Sequence, residues 1–172
     1  MAPSFREIEV ASRPRKRVAG RGVPVADAEA PPEGVDIEFL GEVIGYPLRR
    51  AQVAVFTDYA RTVGELDIRP AQFSALVVIG ANQGLTQSAI AATLGIDRSA
   101  TVGLLDSLEE RGLLVRVPSQ VDRRSNAIVL TAAGHDMLEA VKQKVREHDR
   151  RMTSGMTADE RATLLRLLHK LY

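Results

Sequence analysis

The chain has no cysteine and no tryptophan, and aromatic residues make up only 4% of its 172 positions. Without cysteine there is no disulfide framework, no thiolate nucleophile and no thiol-based peroxide sensor, which fits a reducing compartment. With four Phe and three Tyr, a core must be built mainly from aliphatic side chains, and abundant Ala, Leu and Val favour helices packed on helices. No run of about 18 apolar residues occurs, and the start of the chain lacks the apolar stretch of a signal peptide, so the expectation is a cytoplasmic protein without a membrane partner. Glycine-rich phosphate loops, activated nucleophiles and clustered carboxylates are also missing, and His135, His148 and His169 lack metal-ligand spacing. Neither an enzyme, nor a cofactor, nor a metal site is therefore expected.

Charge of one sign is scarce as well: 23 basic against 22 acidic residues leave a formal net charge of +1. Affinity for a polyanion would have to come from local clusters. Two exist. Residues 1 to about 35 mix Pro, Gly, Ala and charge without a period and include "SRPRKRVAGRG", which reads as a flexible basic arm, either a solvated tail or a contact to DNA backbone or minor groove. The second cluster is Asp122, Arg123 and Arg124, at the tip of the hairpin-like stretch "VPSQVDRRSNAIVLT".

From Asp36 to Tyr172 the pattern is that of a single, mainly helical domain. Pro47 suits a first helical turn, and Leu48, Gln52, Val55, Phe56 and Tyr59 fall on one stripe. Pro70 opens a second helix with Phe73, Leu76, Val77 and Gly80 at helical spacing. "TQSAIAATLG" predicts a two-turn helix capped by Thr86 and ended by Gly95, and "DRSATVGLLDSLEERG" a longer one capped by Asp97 and stopped by Gly112. In the latter, Thr101, Leu104, Leu105 and Leu108 share the inward face. Ser99, Val102, Gly103 and Asp106 point outward, with Arg98 at the flank. Small and polar residues there suit base edges in a major groove.

"LLVRVP" and "NAIVLT" then read as two short strands that need support from the preceding helices. Helix, turn, helix and hairpin make a winged helix-turn-helix. Thr131 caps a long helix whose Leu138, Val141, Val145, His148 and Met152 form a coiled-coil-like seam. "TADE" is a capping box, Thr157 with Glu160, for a last helix carrying Leu164, Leu165, Leu167, Leu168 and Leu171. This surplus of apolar positions points to a dimer interface.

The segment "LTQSAIAATLGIDRSATVGLLDSLEERGLLVRVPSQVDRRSNAIVLTAAG" resembles the DNA-binding region of MarR-type transcriptional regulators, whose wing signature corresponds here to Asp122, Arg124, Leu130, Thr131 and Gly134. The resemblance implies a winged helix-turn-helix at about 66–134, dimerisation helices at about 36–64 and 131–172, and a homodimer on a pseudo-palindrome of double-stranded DNA. Arg98, Ser99 and Val102 would face bases, Arg124 would enter the minor groove and Arg123 would touch phosphate. Thr86 and Gln87 are further candidate DNA contacts. Asp97 would pair with Arg116 to position the wing. The resemblance also implies a cleft for a small effector, lined by the first, second and fifth helices, with Tyr46, Arg49, Gln52, Phe56 and Phe73 as candidates; core packing is the bland reading of those aromatics. The effector expected is a phenolic or hydroxycinnamic acid or its CoA thioester, acting on a repressor of aromatic-acid catabolism. Gly103 and Ala89 depart from the family pattern, which carries Arg or Thr and Glu there. A ligand-independent, DNA-bridging protein is the alternative.

Overall fold

Helix boundaries follow from a few short polar side chains. In the computed structural model, which describes residues 34–82, 84–119 and 126–172, Thr86 Oγ1 accepts the Ala89 N–H at 3.3 Å and Thr131 Oγ1 accepts the Gly134 N–H at 3.0 Å. Thr157 accepts the Glu160 N–H at 3.3 Å while Glu160 Oε2 accepts the Thr157 N–H at 2.8 Å, completing the expected capping box. Each bond satisfies an amide that the first helical turn leaves without a partner. Asp97 holds the same position for its helix, but its side chain makes no capping bond. Glycines at positive φ, Gly95 at 63° and Gly112 at 69°, end the two helices that precede the hairpin, a conformation that a Cβ disfavours.

Among the described residues the α-helices are α1 (Gly45–Val63), α2 (Pro70–Ala81), α3 (Gln87–Leu94), α4 (Arg98–Glu110), α5 (Ala132–Met152) and α6 (Ala158–Leu168). Among the described residues, the strands β1 (Leu85–Thr86), β2 (Leu114–Pro118) and β3 (Asn126–Leu130) form an antiparallel sheet in the order β1-β3-β2. The hairpin expected from sequence is β2–β3, with Leu114 opposite Leu130 and Val117 opposite Ala127. The additional strand, β1, pairs Leu85 with Ile128 and Thr86 with Ala127. Two residues carry no hydrophobic period, so only the pairing defines this strand. It gives β3 a second neighbour and ties the hairpin to the helix-turn-helix.

One cluster of buried residues links these elements: Tyr59 and Val63 of α1, Leu76 and Ile79 of α2, Ile90 of α3, Leu105 and Leu108 of α4, Leu114 and Ile128 of the sheet, and Leu138 and Val141 of α5. The seam on α5 is thus used within the chain, against α1 and α2, and is not a free coiled-coil face. Gly80 allows the approach of α2 to α5, since a Cβ there would lie 2.8 Å from Leu138 Cδ2. The apolar surplus lies elsewhere: Leu164, Leu165, Leu167 and Leu171 are exposed at the C-terminal end, and Phe39, Leu40, Ile44 and Leu48 near the start of α1. The basic arm, apart from Gly34 and Val35, and the tip residues Asp122, Arg123 and Arg124 lie outside the described residues.

Candidate functional site

α4 presents two unlike faces. Thr101, Leu105 and Leu108 have no solvent exposure, while Arg98, Ser99, Ala100, Val102 and Gly103 are exposed. A Cβ on Gly103 would meet nothing within 4 Å, so this part of the helix is open to an approaching surface. Thr86 is half-buried and its hydroxyl is engaged in capping α3, whereas Gln87 begins α3, also half-buried. Behind the exposed face, Gln72 accepts the Arg69 N–H at 2.9 Å and donates through Nε2 to Ser107 Oγ at 3.0 Å, so the start of α2 holds the middle of α4.

The wing is anchored differently from the expectation. Arg116 of β2 donates to Asp106 Oδ1 at 2.6 Å and to Glu109 Oε2, and its backbone N–H reaches Glu109 Oε1 at 3.2 Å. Asp97 is not its partner. Asp106 and Glu109 stand one turn apart beside β2, whereas Asp97 lies nine residues before Asp106, about 13 Å along the helix axis at 1.5 Å per residue. Asp106, expected to face outward, instead helps hold the hairpin; a guanidinium fork between two carboxylates sets the angle of the hairpin to α4.

A cleft lies between α1, α2 and α5, with a volume of about 410 Å³, walled by Val55, Phe56, Pro70, Phe73 and Val145 and edged by Tyr59, Ser74, Arg146, His148 and Asp149. Phe56, Tyr59 and Pro70 also border a second cavity of about 410 Å³ that runs towards Ile68 and Arg69. Of the residues expected to bind an effector, the first cleft brings together Phe56 and Phe73. Tyr46, Arg49 and Gln52 do not line it. They precede Phe56 by four to ten residues, roughly 6 to 15 Å along α1; Tyr46 instead accepts from Arg50 Nη1 at 3.4 Å, and Arg49 and Gln52 are exposed. Tyr59 and His148 were legible only as core and interface positions, because the stripe that marks them is the same one that marks packing.

The polar edge of the cleft rests on Asp58. Its carboxylate accepts from His148 Nδ1 at 2.6 Å and from Arg151 Nε and Nη2 at 3.2 and 3.0 Å. The Arg151 hydrogen bonds, against some loss of solvation and with help from His148, hold the Asp58 carboxyl down at about 2. Burial pushes the Tyr59 phenol up to about 12, so it stays a neutral donor. Among the described residues, no group of three or more His, Cys, Asp or Glu could hold a metal ion, and no helix is long and apolar enough to cross a membrane.

Comparison with known proteins agrees with this architecture. The MarR family model matches residues 66–125. The Escherichia coli multiple antibiotic resistance protein MarR is 35% identical over 107 residues, covering 62% of this chain and 74% of that protein. The chain belongs to the MarR family. A protein of Thauera aromatica assigned as a transcriptional regulator of the hcr operon is 38% identical over 130 residues, 75% of this chain and 78% of its own. The transcriptional repressor CouR superposes with a TM-score of 0.76 at 42% identity when bound to a 23-mer DNA duplex, covering 80% of this chain and 97% of that one. Bound to p-coumaroyl-CoA, CouR gives 0.74 at 40% identity, with 80% and 96% coverage.

In this MarR-family chain, hydrogen bonds tie the residues just past the end of α4 to the turn after α1 and to the head of α5. Arg111, just past α4, donates to the carbonyls of Asp67 and Leu66 at 2.5 and 3.1 Å, fastening that end of α4 to the turn after α1. At the head of α5, Thr131 donates its hydroxyl to Gly112 O at 2.7 Å and its N–H to Leu113 O at 3.1 Å. A Cβ on Gly134 would lie 1.9 Å from Leu113 O, so the two backbones touch directly.

Proposed function

We propose that the chain is a dimeric, ligand-responsive transcriptional repressor without enzymatic activity. Each α4 enters a major groove of a pseudo-palindromic promoter site, with Arg98, Ser99 and Val102 towards the bases and Thr86 and Gln87 towards the backbone. The hairpin follows the adjacent minor groove, where Arg124 answers the negative potential and Arg123 takes a phosphate. The leucines exposed on and beside α6, with Phe39, Leu40, Ile44 and Leu48, supply the apolar surface for a second copy. The observation that carries this reading is the division of α4 into a fully buried face and an exposed face that is basic at its first turn.

The effector proposed is an aromatic acid or, better, its CoA thioester, seated in the cleft with Phe56 and Phe73. Similarity to a repressor solved both with DNA and with p-coumaroyl-CoA supports pairing these two functions in one chain. Such a ligand releases DNA only to the extent that it binds the released spacing of the two α4 helices more tightly than the bound one. The Arg111 and Thr131 contacts are the levers by which movement at the cleft would change that spacing. The test is a gel shift on the intergenic DNA beside the gene, with and without candidate acids and thioesters. A retarded complex released by a thioester is expected. A complex that persists with every compound would remove the sensing role and leave the DNA-binding role standing.

A further inference from the structure

Nothing in the fold asks for a glycine at position 103. Gly103 is the sixth of the thirteen residues of α4, it is exposed, and its φ is not positive. A Cβ there would meet no atom of the chain within 4 Å, in contrast to Gly80 and Gly134, where close neighbours crowd a side chain. A glycine inside a helix weakens it relative to alanine, so the fold alone favours replacement. Such breaches of local preference are expected where function compensates for them. The exposed neighbours of Gly103 are short: Ser99 lies one turn before it, Ala100 three residues before it, and Val102 is adjacent. Beside them, a hollow of about 590 Å³ is walled by Ala100, Gly103, Leu104 and Ser107 of α4 and by Ala71 and Gln72 of α2. Asp67, Arg69, Glu110 and Arg111 border the same hollow, two charges of each sign, which makes it a steric seat rather than an ionic one.

We propose that Gly103 is a specificity-determining residue for the operator: its bare Cα is the point of closest approach of α4 to the DNA, where the sugar-phosphate wall of the groove enters the hollow. The inference rests on the DNA-binding reading above and deepens it. Ser99 and Val102 have short side chains, so they reach base edges only if the helix backbone itself comes close to the groove floor. Glycine permits that approach, because it puts no side chain between its backbone and a ligand. Any larger residue at 103 holds the helix away and lifts Ser99 and Val102 off the bases together. Readout then falls on close apolar contact, with Val102 against a thymine methyl, and depends on the seat that Gly103 provides.

The test uses the full chain, with the intergenic DNA beside the gene as probe and affinity read by fluorescence anisotropy. Gly103→Ala and Gly103→Leu both place a good helix former in open space, so both should fold. Gly103→Ala should melt about 2 to 4 °C above the parent. It should nevertheless bind the DNA at least about tenfold more weakly, because both copies in a dimer lose the close approach, and Gly103→Leu should bind more weakly still. A merely structural role would move stability and affinity in the same direction. Val102→Ala should weaken the parent complex at least about fivefold but cost less than about twofold in the Gly103→Ala background, where Val102 no longer reaches its base. Binding by both Gly103 variants within about twofold of the parent overturns the proposal and leaves the DNA-binding reading intact. A Gly103→Ala protein that melts below the parent, or a full Val102→Ala cost in its background, does the same. Absence of binding by the unaltered protein overturns the two together.

Discussion

Alanine placed at two helical glycines should shift stability in opposite directions. Gly103 in α4 has open space around it, and Ala there should stabilise the helix by about 1 kcal/mol through reduced backbone entropy in the unfolded chain. Gly134 lies in the first turn of α5, where local propensity alone makes the same prediction. Its surroundings reverse it. The added Cβ would sit 1.9 Å from Leu113 O and 2.9 Å from the Leu113 carbonyl carbon. Side-chain carbons essentially never approach other atoms closer than 3.0 Å, so strand and helix must separate by about 1 Å. Separation also strains the Thr131 N–H to Leu113 O bond of 3.1 Å and the Thr131 hydroxyl to Gly112 O bond of 2.7 Å. Overpacking against unyielding backbone costs about 3 kcal/mol, at the upper end of the usual range, and the helix gain of about 1 kcal/mol offsets part of it. The net loss is about 2 kcal/mol, or a fall in Tm of about 4 to 8 °C for a chain of this size. Urea and thermal unfolding of both variants at one fixed protein concentration are the measurements. A Gly134→Ala protein as stable as its parent would refute the close approach of the head of α5 to the Leu113 backbone.

Three further outcomes are expected. A double-mutant cycle on unfolding free energies should give Arg116 a coupling of about 0.5 to 1 kcal/mol with Asp106, since both are partly exposed, and none with Asp97; a coupling to Asp97 of the same size would restore the pairing implied by family resemblance. Asp58 is held at about 2 against an ordinary 3.8, so its stabilising contribution is complete above about pH 4 and is lost as pH falls through 2. Urea midpoints from pH 5 to pH 2 should therefore fall more steeply for the parent than for Asp58→Asn, and parallel curves would show that the Arg151 and His148 bonds do not form in solution. Arg124→Ala should weaken operator binding and reduce the slope of log affinity against log salt by about 1, with the oligomeric state unchanged in ultracentrifugation; unaltered binding would end its role at the wing tip.

Much of the fold was legible because it depends on local chemistry. Thr86, Thr131 and Thr157 cap helices by reaching amides three residues away, and the inward face of α4 follows from helical periodicity alone. The expected β2–β3 hairpin formed for the same local reason. The candidate site was legible only in part. Phe56 and Phe73 reached the cleft, but Tyr46, Arg49 and Gln52, taken from the same helix, lie too far along α1. Tyr59 and His148 looked like packing residues because a buried ring that faces a cavity and one that faces a neighbour obey the same spacing.

By itself, the order of caps, glycines and apolar stripes determined which segments are helix or hairpin and which face of α4 stays outside, since each of these is settled within a few residues. Tertiary structure alone decided the third strand, the partners of Arg116, the use of the α5 seam and the intolerance of Gly134 to a side chain. Those depend on distances between residues remote in the chain. Arg116 could choose among several carboxylates, and only the position of β2 along α4 selects Asp106 and Glu109 over Asp97.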